Sequence, residues 1–257
     1  MPDLSIFDLS GKTALVTGAS RGIGRHLAES LARAGADIAI TARDLNSLME
    51  TEAAITSMGQ KAHLIQLDVT SVADCKKAIH ETAHRINGID ILVNNAGVED
   101  VRASLDVDEA LWNNILDTNL KGAFFCAQAV ALTMKDTKRP GSIINLCSLT
   151  SEVGIPTAVP YGSSKTGLLG MTRGLAAEWA PLGIRVNAIA PGYFRTAMTE
   201  VFYKNQHWQD NMKSKIPIGR FGNLDDLSGA AIFLASNASA YIAGQCLFVD
   251  GGYLASI

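Results

Sequence analysis

A tyrosine and a lysine four residues apart form a pair that could move a proton. Tyr161 and Lys165 lie one helical turn apart, so on a helix their side chains share a face. A free tyrosine has a pKa near ~10, too high for an efficient general base at neutral pH. A neighbouring ammonium favours the phenolate, so the spacing predicts that Lys165 lowers the pKa of Tyr161. Ser148, which follows a predicted strand, offers a hydroxyl that could hydrogen-bond a substrate oxygen.

A glycine-rich stretch, TGASRGIG, occupies residues 17–24 between a predicted strand and a predicted helix. In that context the backbone N–H groups can approach a pyrophosphate, and the helix N-terminus adds a positive dipole. Glycine suits the loop because a Cβ would block the turn or the approach. A tight turn without a ligand remains the alternative. The predicted cofactor contacts in the loop are Gly18, Ser20, Arg21, Gly22, Ile23 and Gly24.

The end of the second predicted strand bears on which dinucleotide binds. An acidic side chain there would favour NAD by accepting hydrogen bonds from the ribose hydroxyls, but this chain has Ala42 followed by Arg43. Arg43 and Arg21 together could make charge-assisted hydrogen bonds to a 2′-phosphate. Asp44 weighs against this, because its carboxylate would repel the phosphate or pair with Arg43. We expect NADP(H) as the preferred cofactor, with NAD(H) as the alternative.

The elements that must position these residues alternate between strand and helix. Short, apolar, β-branched runs are typical of parallel strands covered on both faces. They predict strands at 13–16, 38–41, 62–67, 89–93, 142–146, 185–189 and 245–249. Helical spacing occurs at 23–35, 45–58, 72–86, 108–135, 161–180 and 224–235. The alternation predicts an α/β fold, a Rossmann-like doubly wound parallel sheet in a single domain over residues 1–257, with ligands bound beyond the carboxyl ends of the strands.

Small or polar side chains follow the third and fourth predicted strands, at Asp68-Val69 and at the NNAG stretch of residues 94–97. Alone, each is an ordinary turn. Together with TGASRGIG, Asn119, Ser148, Tyr161-x-x-x-Lys165 and Pro191-Gly192, in this order, they resemble the classical short-chain dehydrogenase/reductase family. The resemblance covers essentially the whole chain.

The resemblance implies an oxidoreductase that interconverts a ketone and a secondary alcohol, with hydride supplied by the cofactor. Tyr161 would act as general acid and base, Ser148 would stabilise the substrate oxygen, and Asn119 would hold a water that links Lys165 to solvent. The cationic oxidised nicotinamide would act on Tyr161 in the same direction as Lys165. The remaining implied cofactor contacts are Asp68, Val69, Asn95, Ala96, Gly97, Tyr161, Lys165, Pro191, Gly192, Phe194 and Thr196.

Two substrate classes compete within that resemblance. The glycine loop, residues 119–122 and the last strand resemble 3-oxoacyl-thioester reductases. Residues 191–198 and 220–222 resemble gluconate 5-dehydrogenases and related enzymes, which favours a small ketone, hydroxy acid, sugar acid or polyol. Glu99 could bond a substrate hydroxyl or lie on a loop surface. A non-catalytic NADP-sensing regulator is a remote alternative, since a fold alone does not exclude it.

Two further expectations concern mobility and assembly. The segment at about 197–215 mixes apolar and polar side chains, which predicts a lid over the substrate, although an amphipathic surface helix would have the same composition. By resemblance, the subunits form a homotetramer through the helices at 108–135 and 161–180 and through the final strand.

Residues 80–84 match the zinc motif HExxH, which places two histidines on one helix face. The longer zinc-protease pattern needs glycine at 87 and histidine at 90, where this chain has Asn87 and Asp90. The stretch also falls in a crossover helix, away from the carboxyl ends of the strands. We therefore expect no metal. Cys147 lacks the histidine pattern of a nucleophile and is expected to be a small buried residue.

The composition is that of a globular protein, with 257 residues of which 47% are hydrophobic and 18% charged. The formal net charge of -3 gives no reason to expect nucleic acid or an anionic membrane as a partner. No apolar run reaches the length of a membrane span, and the N-terminus lacks a secretory pattern. We therefore expect a cytoplasmic protein whose partner is a small carbonyl or alcohol substrate.

Overall fold

Seven parallel strands form one sheet in the computed structural model, which describes residues 4–196, 199–200 and 202–257. The strands are β1 (Thr13–Val16), β2 (Asp37–Ala42), β3 (Ala62–Gln66), β4 (Ile91–Asn94), β5 (Gly141–Leu146), β6 (Ile184–Pro191) and β7 (Cys246–Val249). Their order across the sheet is β3-β2-β1-β4-β5-β6-β7. The order therefore reverses between β1 and β4, and sheets of this kind bind ligands at such a switch point.

Eight α-helices lie in the part of the chain that the structure describes. They are α1 (Gly22–Arg33), α2 (Met49–Ser57), α3 (Val72–Arg85), α4 (Glu109–Leu116), α5 (Ala123–Asp136), α6 (Val159–Trp179), α7 (Gln206–Lys215) and α8 (Ser228–Ala235). Within the same ranges, none of them combines the length and the apolar character that crossing a bilayer requires.

Alternate residues of β1 divide the core between the two faces of the sheet, as the pleat of a strand requires. Ala14 and Val16 pack with apolar residues of α1, α2 and α8. Leu15 packs on the opposite face with residues of α3, α5 and α6. Burial on both faces explains why the strands have nearly uniform apolar sequences, and it confirms the doubly wound architecture expected from them.

The predicted helix at 108–135 is interrupted. A π-helical segment, Asp117–Gly122, separates α4 from α5. At its end, a Cβ on Gly122 would lie 2.7 Å from the carbonyl oxygen of Val69, so glycine lets this chain segment pass close to the end of β3. Wide turns of this kind frequently occur at functional sites. Periodicity alone could not place the interruption, because the apolar spacing continues through it.

Candidate active site

A cleft of about 550 Å³ opens along the carboxyl ends of the strands. That volume is in the range of small-molecule sites. The predicted cofactor residues and three of the four predicted catalytic residues line it. They are Gly18, Ser20, Arg21, Gly22, Ile23, Gly24, Arg43, Asp68, Val69, Asn95, Ala96, Gly97, Ser148, Tyr161, Lys165, Pro191, Gly192, Phe194 and Thr196. Asn119 lies behind the wall of the cleft.

The glycines of the β1–α1 loop are required by the packing of the protein itself. Gly18 and Gly22 have φ angles of +64° and +57°, in the left-handed region that favours glycine. A Cβ on Gly18 would lie 2.9 Å from Cα of Ala96, and one on Gly24 would collide with the side-chain amide of Asn95. The loop is therefore pressed against the end of β4, which leaves its outer side free to face the cleft.

The N-terminus of α1 is suited to an anion. Its N-cap residue, Arg21, makes no side-chain capping hydrogen bond, and the first turn contains no acidic residue. The first N–H groups of a helix have no partner within the helix, and they carry the positive end of its dipole. A pyrophosphate would satisfy these groups, so the arrangement fits a dinucleotide.

Thr17 joins the glycine loop to β4, although the sequence pattern did not single it out. Its buried hydroxyl accepts hydrogen bonds from the backbone N–H groups of Asn95 and Ala96, both at 3.0 Å. The Asn95 amide in turn donates to the carbonyl oxygens of Thr17 (2.9 Å) and Gly18 (3.0 Å). These bonds fix both sides of the switch point. A threonine at a strand end is too common a feature to reveal this role.

At one end of the cleft lie the two arginines predicted to select the cofactor. Arg21 and Arg43 are exposed, and neither guanidinium forms a hydrogen bond or ion pair with another described residue. Asp44 instead caps the short 3-10 turn that precedes α2, accepting a hydrogen bond from the Asn46 backbone N–H at 2.9 Å. The alternative pairing of Arg43 with Asp44 is therefore not found. Asp68 holds its own loop, accepting from the backbone and hydroxyl of Thr70.

The predicted proton-transfer residues meet at the other end. Tyr161 lies in the first turn of α6 and hydrogen-bonds the side chain of Ser148, which follows β5. Lys165 lies one turn further on, is 4% exposed, and donates from Nζ to the carbonyl oxygen of Leu146 at 2.6 Å. The same Nζ is 5.6 Å from the centroid of the Tyr161 ring. The spacing of Tyr161 and Lys165 therefore does bring both side chains beside Ser148.

The pKa of Tyr161 is shifted opposite to the direction expected from the sequence. Burial raises it well above its usual value, and the charge of Glu99 raises it further, while the hydrogen bond from Ser148 opposes the shift. Burial also lowers the pKa of Lys165, with Cys147 and Glu99 acting against that shift. The expectation underestimated desolvation, and the Lys165 ammonium is hydrogen-bonded to the Leu146 carbonyl oxygen. Burial therefore favours the protonated form of the Tyr161 phenol.

Asn119 lies in the π-helical segment and holds the loop that follows β4. Its Oδ1 accepts from the Val98 N–H at 2.8 Å, and its Nδ2 donates to the Val98 carbonyl (2.9 Å) and to Ser164 Oγ (3.1 Å). Gly97 separates it from the lysine: a Cβ there would lie 3.3 Å from Asn119 Oδ1 and 3.7 Å from Lys165 Nζ. Both N–H donors of the Asn119 amide are therefore used within the protein. The water relay expected at Asn119 stays a prediction.

The residues after β6 form the wall opposite the glycine loop. A Cβ on Gly192 would lie 2.7 Å from Cα of Asp250, so glycine permits this wall to pack against the chain after β7. The Phe194 ring is buried in the core and packs on Gly222, so it supports the wall from behind. Thr196 lies beside Gly22, where a Cβ on the glycine would be 3.8 Å from the Thr196 Cβ. These contacts position the residues after β6 that the resemblance assigned to cofactor binding.

The predicted lid only partly lies in the described chain, because residues 197, 198 and 201 fall outside it. The rest contains a short 3-10 turn and α7, from which Tyr203 and Trp208 line the cleft. Their rings form edge contacts at 5.4 Å, and both pack on Phe221. An aromatic wall thus closes the substrate end. Its movement as a lid stays a prediction.

The rejected zinc motif lies on the solvent face of α3. His80, Glu81 and His84 are all exposed. No cluster of three or more potential metal ligands occurs among residues 4–196, 199–200 and 202–257. Cys147 is 3% exposed, as expected for a small buried residue beside Ser148.

We expect Gly24→Ala to destabilise the protein by about 1–3 kcal/mol, because the new Cβ would displace the Asn95 amide that joins β1 to β4. Denaturant unfolding measures this effect. Gly229→Ala is the matched control: Gly229 is an exposed helical glycine of α8 with no atom near the position of a Cβ. There the alanine is expected to stabilise slightly, by about 0.5–1 kcal/mol. An unfolding midpoint for Gly24→Ala equal to that of the wild type would contradict the packing argument.

Known proteins resemble this chain over almost its full length. A family model described as enoyl-(acyl carrier protein) reductase matches residues 18–254. The gluconate 5-dehydrogenase of Gluconobacter oxydans (strain 621H) is 40% identical over 256 residues, covering 100% of this chain and 99% of that protein. These matches agree with the fold.

Two solved structures have the same fold throughout. A protein from Sinorhizobium meliloti 1021, provisionally named a short-chain alcohol dehydrogenase, is 61% identical with a TM-score of 0.96, covering 98% of this chain and 100% of that one. A gluconate 5-dehydrogenase from Burkholderia cenocepacia J2315, crystallised with NADP and tartrate, is 40% identical with a TM-score of 0.96, covering 99% of each chain. The chain belongs to the short-chain dehydrogenase/reductase family. It is an oxidoreductase of that family.

Proposed function

We propose that this protein is an NADP(H)-dependent oxidoreductase that interconverts a ketone and a secondary alcohol. The observation that carries the proposal is that one cleft contains both an anion-binding site and a group of proton-transfer residues. An uncapped helix N-terminus with two unpaired arginines lies at one end, and Tyr161, Ser148 and Lys165 lie at the other. The relative crystallised with NADP supports the choice of cofactor.

The residues at each end have separate tasks in this proposal. The glycine loop and the α1 N-terminus would bind the pyrophosphate, and Arg21 and Arg43 the 2′-phosphate. The cofactor, when bound, supplies or accepts the hydride. In reduction, Tyr161 donates its proton to the substrate oxygen, which Ser148 stabilises by a hydrogen bond. In oxidation, Tyr161 accepts that proton.

The proposed substrate is a small ketone, hydroxy acid, sugar acid or polyol, as for gluconate 5-dehydrogenases. The resemblance to the B. cenocepacia and G. oxydans enzymes supports this class. A 3-oxoacyl thioester is the alternative, supported by 38% identity to the 3-oxoacyl-(acyl carrier protein) reductase of Aquifex aeolicus (strain VF5). The lid at 197–215, the homotetramer and the cytoplasmic location are predictions that accompany the proposal.

A panel of ketones, polyols, sugar acids and 3-oxoacyl thioesters, assayed with NADPH/NADP and with NADH/NAD, tests the function. We expect turnover with a small ketone or polyol and a lower KM for NADPH than for NADH. Turnover confined to 3-oxoacyl thioesters would favour the alternative. No cofactor-dependent turnover with any member would overturn the proposal.

The same assay tests the arginines. Arg43→Ala is expected to raise the KM for NADPH by about tenfold, since an exposed charge-assisted hydrogen bond to the 2′-phosphate is lost. The KM for NADH should not change, because NADH lacks that phosphate. Arg33→Ala is the matched control: Arg33 lies at the far end of α1 and pairs with Glu29 at 3.5 Å. Equal effects of Arg43→Ala on both cofactors would show that Arg43 does not select between them.

A further inference from the structure

Glu99 is a carboxylate at the catalytic end of the cleft that the mechanism does not use. It follows the NNAG stretch after β4 and lines the cleft together with Ser148 and Tyr161. Its carboxylate makes no hydrogen bond or ion pair with any described residue. A half-buried carboxylate normally has a partner, because desolvation of an unpaired charge is costly. The missing partner is therefore expected to be a ligand.

The charge of Glu99 affects the pKa values of two reactive side chains. It raises the pKa of Tyr161 and acts against the lowering of the pKa of Lys165. Burial raises the pKa of Glu99 itself, and the Lys165 ammonium opposes that shift. Glu99, Ser148 and Tyr161 line the same cleft, so a substrate whose oxygen meets Tyr161 can present its other hydroxyls to Glu99.

The distribution of cations in the cleft is uneven. The charged residues that line it are Arg21, Arg43, Asp68, Glu99 and Lys165. Both arginines are at the cofactor end. Lys165 donates to the Leu146 carbonyl oxygen and is also a predicted cofactor contact. In the described chain no other cationic side chain lines the catalytic end.

The nearest arginines along the chain are also engaged. Arg102 pairs with Asp100 and Asp108, at 3.2 and 3.6 Å. Arg195 forms two hydrogen bonds with Glu200, at 2.8 and 2.6 Å. A substrate carboxylate at this end would therefore meet Glu99 without an available guanidinium. Like charges placed together in this way weaken binding by about 10²-fold.

We propose that Glu99 determines specificity by accepting a hydrogen bond from a substrate hydroxyl beside the reacting carbon, and that it selects uncharged polyhydroxy ketones and alcohols over sugar acids. This inference rests on the proposed function and narrows its substrate class. It would distinguish this chain by substrate charge from the gluconate 5-dehydrogenase of B. cenocepacia, whose fold is nearly the same.

Two matched pairs of compounds test the inference. Glucitol and gluconate share a carbon chain and differ at one end, where a hydroxymethyl group replaces the carboxylate. Threitol and tartrate share a shorter chain and differ in the same way at both ends. For the wild type we expect at least about tenfold higher kcat/KM for glucitol than for gluconate, and tighter inhibition of ketone reduction by threitol than by tartrate. Glu99→Gln keeps the shape but removes the charge, and it should shift both ratios by about 10- to 100-fold towards the carboxylates.

Asp100→Asn is the matched control, because Asp100 is the adjacent acid but is exposed, pairs with Arg102 and does not line the cleft. It should leave both ratios unchanged. A titration of the NADP complex with threitol and tartrate, followed by the tryptophan fluorescence to which Trp208 in the cleft wall contributes, gives the same comparison without turnover.

Failure of the proposed function and failure of the inference on Glu99 give different results. If the wild type uses no ketone or alcohol with either cofactor, the proposed function fails. If it is active but binds gluconate or tartrate as well as the uncharged partner, only the inference fails. The inference also fails if Glu99→Gln gains nothing towards tartrate, or if Asp100→Asn shifts the ratios equally.

Discussion

Tyr161→Phe is expected to lower kcat/KM for ketone reduction by about 10³-fold, because positioned general acid–base catalysis typically contributes about 10²–10⁴-fold. The substitution removes only the hydroxyl that hydrogen-bonds Ser148, while the ring remains beside Lys165. Ser148 keeps its other contact, a hydrogen bond accepted from the Thr150 N–H at 3.2 Å. The loss should therefore appear in catalysis, with the unfolding midpoint preserved. Steady-state rates of NADPH oxidation measure it.

Tyr241→Phe is the control for this experiment, since Tyr241 is fully exposed and its hydroxyl has no part in the cleft. That variant should reduce ketones at the wild-type rate. Ketone reduction by Tyr161→Phe at an unchanged kcat/KM would show that the proton comes from another group, and the assignment of Tyr161 would be wrong.

Lys165→Met is expected to lower the rate of alcohol oxidation at neutral pH by about 10²-fold. Two unit charges about 6 Å apart interact by about 3 kcal/mol at an effective dielectric constant near 20, which corresponds to about two pKa units. Lys165 Nζ lies 5.6 Å from the centroid of the Tyr161 ring, so its loss should raise the pKa of Tyr161 further. Oxidation requires Tyr161 to accept a proton, and its rate should rise with pH. In the variant that rise should move to higher pH.

The pH profile distinguishes this electrostatic role from a structural one, because a packing defect would lower the rate equally at every pH. Lys61→Met serves as the control: Lys61 is exposed at the start of β3 and pairs with Asp37 at 3.5 Å. Its oxidation profile should match that of the wild type. If the profile of Lys165→Met also coincides with the wild type after scaling, Lys165 does not tune Tyr161.

The sequence by itself determined the architecture and the position of the cleft. Strands buried on both faces have apolar sequences, and helices between them have their own period, so both can be recognised within a few residues. The residues that follow each strand can therefore be assigned to the cleft from the sequence. The preference for the carboxyl edge follows from parallel strands alone.

Local patterns were less informative about why particular residues are needed. The glycines of residues 17–24 were predicted from the approach of a pyrophosphate, but Gly18 and Gly24 are also required by Ala96 and Asn95, more than seventy positions along the chain. Thr17 has its partners at the same distance along the chain and went unnoticed. No short window contains both members of such a contact.

The tertiary structure alone decided the electrostatics of the catalytic end. The i,i+4 spacing placed Lys165 beside Tyr161, but only burial and the nearby Glu99 set the direction of the Tyr161 pKa. The hydrogen-bond partners of the Asn119 amide, Val98 and Ser164, are likewise apparent only from the fold. A pKa depends on the solvent and charges removed or added around a group by the whole fold. The sequence therefore predicted the proton-transfer pair Tyr161 and Lys165, and the fold determined the directions in which their pKa values are shifted.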